Sequence, residues 1–333
     1  MISTSDLQDR IYQAQCYGSV EPIEYMVPYP NLGTLVEGQN IKLAKRIWYS
    51  PQEITYAELY RQAQQTANWL ESKDISNNDR ILLVNCPTPE AEILAFGIWT
   101  VGAVLVLAGD DDIDGAITAT KPKLIIGNGP NPATTIEFTA PRFITAACRE
   151  LPDKYQVKHK ALLGDEALVY WFHGKGVRLS HYNLLVNTNG VHLVIISNDI
   201  KSLTVNLPAH STIWAVLQLL LPIYAGIELN HTTGDIYIGR ADQFDKPDFL
   251  VTNNPNDTDK NKPPRILVIP ENTAVAQVGG TPVLMTEITW VNSDRLLIKG
   301  HSVMMGYLDD ALNEIVFTTE GLLVDNSGQG NAN

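Results

Sequence analysis

The sequence predicts an α/β protein built on a parallel sheet covered on both faces. Three features lead there: short runs that are apolar throughout, helical runs between them, and connections of only a few residues. The first such runs are Arg80–Val84, Val104–Ala108 and Leu124–Ile126, and Ala167–Phe172, Leu203–Leu207 and Ile227–Leu229 repeat the pattern. A strand exposed on one face would alternate apolar with polar residues, and these do not.

The elements follow in order. Residues 1–40 read as irregular, punctuated by Pro22, Pro28, Pro30 and Gly33, and as wrapping over a later surface. Thr55 and Glu58 form a capping-box pair, after which Leu59, Ala63, Ala67 and Leu70 recur at helical spacing. Thr88 caps the next helix, with Pro89 at its first position, and that helix ends near Gly102. Pro122 closes a short helix. Ser180 caps a long one. Ser211 caps a very apolar helix running to about Tyr224. A membrane span needs about 20 apolar residues, and Pro222 and Gly226 interrupt this one, so it reads as a core helix. Residues 253–264 form a polar linker. Beyond it Ile266–Ile269, Val283–Trp290 and Leu296–Lys299 read as strands, with a hairpin turn at Asn292-Ser293-Asp294. The expected organisation is an α/β core over 1–260, a small β-rich subdomain over 261–325 and a disordered tail over 326–333.

Composition narrows the function. The 333 residues are 44% hydrophobic and 18% charged, enough to bury a core of about two domains. Lys and Arg number 24 against 37 Asp and Glu, a net charge of −13. That field repels phosphate backbones and anionic lipid, so neither nucleic acid nor a membrane is an expected partner. Cys16, Cys86 and Cys148 lie far apart and form neither a disulfide framework nor a metal-ligand spacing. With no basic or apolar leader in Met1–Asp6, a cytoplasmic location is expected. Asp110, Asp111, Asp112 and Asp114 could suggest a metal, but carboxylates at a helix start explain them. Gly127-Asn128-Gly129 is followed by Pro130 rather than a helix, so it is not read as a dinucleotide fingerprint. The seven histidines show no i, i+4 pair, and no zinc is expected.

Six segments in order resemble the adenylate-forming superfamily of acyl-CoA synthetases, adenylation domains and luciferases. They are Ile54-Thr55-Tyr56-Ala57-Glu58-Leu59 with Asp79–Leu83; Pro89-Glu90 through Gly102-Ala103-Val104; Lys121–Ile126; Gly174–Val177 with Leu179–Leu184; Asn206–His210 with Leu219–Gly226; and Leu296–Gly300 with Val303–Leu308. The resemblance implies stacked, mostly parallel sheets with flanking helices. It also implies a chemistry in which a carboxylate and ATP form an acyl-adenylate and the acyl group then passes to a thiol. In that family a Ser/Thr/Gly run ending in Pro-Lys-Gly cradles the triphosphate. Here Leu168–Phe172 leads directly into His173-Gly174-Lys175-Gly176, so Gly174, Lys175 and Gly176 are read as a remnant phosphate loop. No aromatic-Gly-x-Thr-Glu element is found between Gly226 and Leu296. The ribose-binding Tyr-x-Thr-Gly-Asp element has only Asp325 as a poor stand-in. The family's C-terminal domain with its catalytic lysine is not found either.

The resemblance places His210 and Trp214 as possible lining of the acyl pocket, each with a plain structural alternative: a satisfied histidine at a strand–helix junction and a core-filling indole. Lys175 has one too, as a solvated loop lysine. The expected function is that of a degenerate relative, with no catalytic residue, metal or cofactor. It would bind a protein partner, a second copy of itself, or a small carboxylate or acyl ligand in the old pocket. The alternative is an acyl- or aryl-adenylating half, using ATP and magnesium with a C-terminal domain supplied in trans.

Overall fold

The computed structural model describes residues 4–109, 112–128, 134–240, 243, 246–254, 263–292 and 295–325. The predicted parallel strands form the centre of a seven-stranded sheet. Its order is Gly306–Tyr307, Lys175–Ser180, Glu166–Phe172, Val104–Ala108, Arg80–Val84, Leu124–Gly127 and Glu137–Thr139. The five from Glu166–Phe172 to Glu137–Thr139 pair in parallel. Alternate residues serve two cores: Ile81, Leu83, Leu105 and Leu107 point into the main core. Leu82, Val84, Val104 and Val106 meet Ile113 and Ile117 on the other face. Apolar side chains on both faces of a strand require cover on both faces.

A nine-stranded sheet runs Thr281–Pro282, Ala274–Val278, Arg265–Ile269, Phe249–Thr252, Ile236–Gly239, Ser202–Thr204, Glu228–Asn230, Ile47–Tyr49 and Ile54–Thr55. A four-stranded antiparallel sheet holds Thr286–Asn292, Arg295–Gly300, Gly321–Asp325 and Phe317–Thr318. This moves the predicted boundary at residue 261. Arg265–Ile269 and Ala274–Val278 belong to the large sheet, and the small sheet begins at Thr286. Pairing partners decide that assignment, and they are remote in sequence. The linker at 255–262, the turn at 293–294 and the tail from 326 lie outside the described residues.

Helix His181–Ile195 ties the two large sheets together, touching Glu166–Phe172 and Lys175–Ser180 of one and Ala274–Val278 of the other. It is buried on nearly all sides, so its polar side chains must be satisfied internally. Ser180 caps it as expected, in a reciprocal capping box with Asn183. Asn183 Nδ2 donates to the carbonyls of His301 (2.8 Å) and Val303 (3.0 Å). Asn187 Nδ2 donates to the Val275 carbonyl (2.7 Å), and Asn187 Oδ1 accepts from the Val275 N–H (3.3 Å).

Other expectations are corrected. Residues 1–40 are not irregular: they contain helices Thr4–Gln15 and Leu32–Leu43, the second with Asn31 in a capping box with Thr34. Leu7, Ile11 and Ala14 carried the helical spacing of the first, which packs on the small sheet. Thr55 accepts from the Glu58 N–H (3.2 Å), but the Glu58 carboxylate bonds Arg61 and Gln62 instead of returning the cap. Pro89 is the N-cap of Glu90–Val101, one position earlier than expected, and Thr88 makes no cap bond. The strand read over Leu203–Leu207 is Ser202–Thr204. The apolar run after Ser211 is a π-helix over Ala215–Leu220 continuing as Leu221–Ala225, and Gly226 ends it in the left-handed region (φ 69°). No helix among the described residues is long and apolar enough to cross a membrane.

Candidate functional site

The segment read as a remnant phosphate loop lies at the turn of a β-hairpin. Strand Glu166–Phe172 pairs antiparallel with Lys175–Ser180, with Trp171 opposite Gly176 and Phe172 opposite Lys175. Two residues remain for the turn, His173 (φ 49°) and Gly174 (φ 72°). Positive φ at both positions is the backbone that a two-residue turn between right-twisted strands demands. Because the ladder runs up to Phe172 and Lys175, the turn itself contributes just two N–H groups, those of His173 and Gly174. Both turn residues are exposed, and a Cβ added to Gly174 would meet nothing within 4 Å.

Below the turn the space is filled. A Cβ on Gly176 would collide with Leu308, whose N–H donates to the Gly176 carbonyl (2.8 Å). Lys175 Nζ lies 5.6 Å from the centre of the Tyr307 ring, a cation–π distance. The Tyr307 hydroxyl donates to Glu271 Oε1 (2.7 Å). Burial and then the Glu271 charge push the phenol well above its ordinary range. Asn313 closes the arrangement by accepting from the Tyr307 N–H (2.6 Å) and donating to its carbonyl (3.0 Å). Glu271 is buried, and its Oε2 has no hydrogen-bond partner. Lys175 thus faces an aromatic ring whose far end is held by a buried carboxylate.

The predicted pocket residues part company. His210 is half-buried at the turn before the π-helix. Trp214, one turn on, is fully buried in the main core, and its indole N–H donates to Glu92 Oε1 (3.1 Å). The same oxygen accepts from Gln218 Nε2 (2.8 Å) and the Thr88 hydroxyl (3.1 Å), while Oε2 has no partner. Gln218 Oε1 accepts from the Leu207 N–H (2.7 Å), which ties the π-helix to the loop that follows strand Ser202–Thr204. Burial pushes the Glu92 carboxyl up to about 7, against hydrogen bonds that favour its charged form. Asp110 and Asp111 lie outside the described residues. Asp112 caps Ile113–Thr120 through the Gly115 N–H (3.2 Å) and also accepts from the Trp171 indole (2.7 Å). No cluster of metal-ligating side chains occurs among the described residues. Residues 129–133, after the Gly127-Asn128 turn, lie outside them.

Glu92 and Glu271 were not singled out from the sequence. Glu92 left no clear signal: it lies with Glu90 in the first turn of Glu90–Val101, where a carboxylate ordinarily complements the helix dipole. Its titration gives a test. A carboxyl at about 4.5 when unfolded and about 7 when folded binds more protons in the native state between those values. Its stabilisation is therefore complete below pH 4.5 and lost as pH rises through 7. Glu92→Gln should remove a pH-dependent loss of about 3 kcal/mol across that window. Urea unfolding of both proteins from pH 4.5 to 7.5 measures it, and parallel pH profiles would count against the ionisation.

Residues 39–168 match the family described as AMP-binding enzyme, and the chain has the fold of the N-terminal domains of the solved structures to which it is similar. Among solved structures it is similar to the N-terminal domain of FACL13 from Mycobacterium tuberculosis, inhibitor-bound, at 14% identity. That match covers 89% of this chain and 95% of the other, with a TM-score of 0.74. It is similar to the Klebsiella oxytoca NpsA N-terminal subdomain in complex with 3-hydroxybenzoyl-AMSN (15% identity, 91% and 95% covered, TM-score 0.72). It also resembles NpsA-ThdA, an artificially fused adenylation–PCP di-domain from the same organism (16% identity, TM-score 0.73). There it covers 88% of this chain but only 66% of the other. No curated protein matches the chain by sequence.

Proposed function

We propose that this adenylate-forming fold has exchanged adenylation for binding. The observation carrying the proposal is the two-residue turn at His173–Gly174. Magnesium ATP is the group the fold family implies, and the residues present do not fit it. A triphosphate needs several converging N–H donors and fixed positive charge. The hairpin offers two N–H groups at an exposed tip, and Lys175 lies over the Tyr307 ring. Tyr307 and Leu308 fill the space beneath.

Preorganised charge at a reacting centre is commonly worth about 3 kcal/mol per donor, so loss of a whole cradle removes useful rate. The function is then carried by surfaces. The net charge of −13 favours a partner with a basic face, recognised by complementary potential. Partner proteins and small carboxylates are the ligand classes to screen.

The decisive measurement pairs ATP–pyrophosphate exchange, across a panel of aryl and acyl carboxylates, with thermal unfolding in magnesium ATP. A ligand at 100 times its Kd stabilises the folded state by about 2.7 kcal/mol. The expected result is no exchange and no shift beyond that of an ionic-strength control. Exchange with any carboxylate would sink the proposal and favour an adenylating half served by a C-terminal domain in trans.

A further inference from the structure

We propose a second binding site, for a compact oxyanion of the phosphate class, at the end of the seven-stranded sheet opposite the His173–Gly174 turn. There a cavity of about 390 Å³ is lined by Arg80, Lys121, Lys123 and Arg178, against two carboxylates, Asp79 and Glu166. Glu166 and the turn bracket one seven-residue strand, so the two sites lie roughly 20 Å apart.

The cavity is a positive centre in a chain of net charge −13, and its carboxylates are already committed. Glu166 is nearly buried and shared by two guanidinium groups. Its Oε1 accepts from Arg80 Nε (3.0 Å) and Nη2 (2.7 Å), and its Oε2 accepts from Arg178 Nε. One negative charge therefore answers two positive ones. Asp79 Oδ2 accepts from Lys123 Nζ (3.0 Å), the Ser76 N–H (2.7 Å) and the Ser76 hydroxyl (3.0 Å).

What remains uncommitted is cationic. Among the described residues, the Lys121 ammonium has no hydrogen-bond or ion-pair partner and the terminal Nη atoms of Arg178 make no hydrogen bond, yet both side chains line the cavity. A planar guanidinium whose terminal donors make no hydrogen bond, lining the same cavity as an exposed ammonium, suits a phosphate or phosphomonoester. Each strand contributes its first residue or a near neighbour, so a rigid sheet end, not a surface loop, sets the spacing of Arg80 and Glu166.

The test titrates the full chain with inorganic phosphate and with glycerol 3-phosphate, at constant ionic strength held with sodium chloride. Calorimetry and thermal unfolding are the readouts. The expected result is saturable binding and a raised midpoint that chloride does not reproduce. Lys121→Gln and Arg178→Gln should each weaken it about tenfold, as expected for losing one charge-assisted contact. Lys121 is exposed and unpaired, so its variant folds whatever Arg178→Gln does. Tighter binding of glycerol 3-phosphate would assign a phosphoester, and equal binding a free phosphate. Absence of saturable binding, or an affinity unchanged in Lys121→Gln, would overturn the site.

Discussion

Trp214→Ala is expected to lower the unfolding free energy by about 3–5 kcal/mol, the range for truncating a large buried aromatic. The indole is fully buried in the main core between the π-helix and helix Glu90–Val101. Its removal leaves a cavity and also takes from Glu92 one of the three donors that hold Oε1. That carboxyl already has one oxygen without a partner, and stripping donors from a buried polar group adds a desolvation penalty to the cavity term. Trp214→Phe separates the two, since it keeps most of the volume while removing the N–H donor along with a small part of the ring. It should cost clearly less than the alanine variant. Urea unfolding at pH 7 measures both. An alanine variant within 1 kcal/mol of wild type would mean that the site collapses freely and that Trp214 does not hold the interior open.

Acid should attack the protein through His181. This residue opens helix His181–Ile195 and is buried to 1% exposure. Its Nδ1 accepts from the Leu32 N–H (3.3 Å), a role only the neutral ring can play. Burial pushes its pKa down from 6.5 to about 3, and a helix N-terminus is a poor place for a cation. Below pH 6.5 the unfolded chain takes up a proton that the folded chain refuses. Stability is therefore lost as pH falls from 6.5 towards 3, by about 1.4 kcal/mol per pH unit. The total for this one group is about 5 kcal/mol.

Glu92 acts in the opposite direction between pH 4.5 and 7, because acid neutralises a buried charge there. The two slopes oppose each other over a shared window. The Glu92→Gln background should therefore show the acid sensitivity of His181 undiluted, and His181→Asn in that background should flatten it. An imidazole carbon resonance for His181 that titrates near 6.5 in the folded protein would refute the assignment directly.

The central strands were legible residue by residue, because a strand buried on both faces must be apolar at every position. Arg80–Val84 and Val104–Ala108 match their predicted limits for that reason. Caps at Thr55 and Ser180 were legible because a cap bond joins residues three apart. The two-residue bend after Phe172 could also be read, as a shortage of polypeptide. Helix Thr4–Gln15 was passed over because the prolines that follow it dominate the local texture, although its apolar spacing was present.

Long-range pairing decided the rest. Whether Arg265–Ile269 starts a new unit or joins the large sheet depends on Phe249–Thr252 beside it. The fates of Trp214, Glu92 and Glu271 depend on partners up to 126 residues away. Glu166 meets Arg80 across 86 residues. Local composition specifies which segments must be buried and where helices begin. Which buried carboxylate faces which indole, phenol or guanidinium is settled only when the sheets stack, because burial desolvates these groups and only a partner brought close by the tertiary fold offsets that cost.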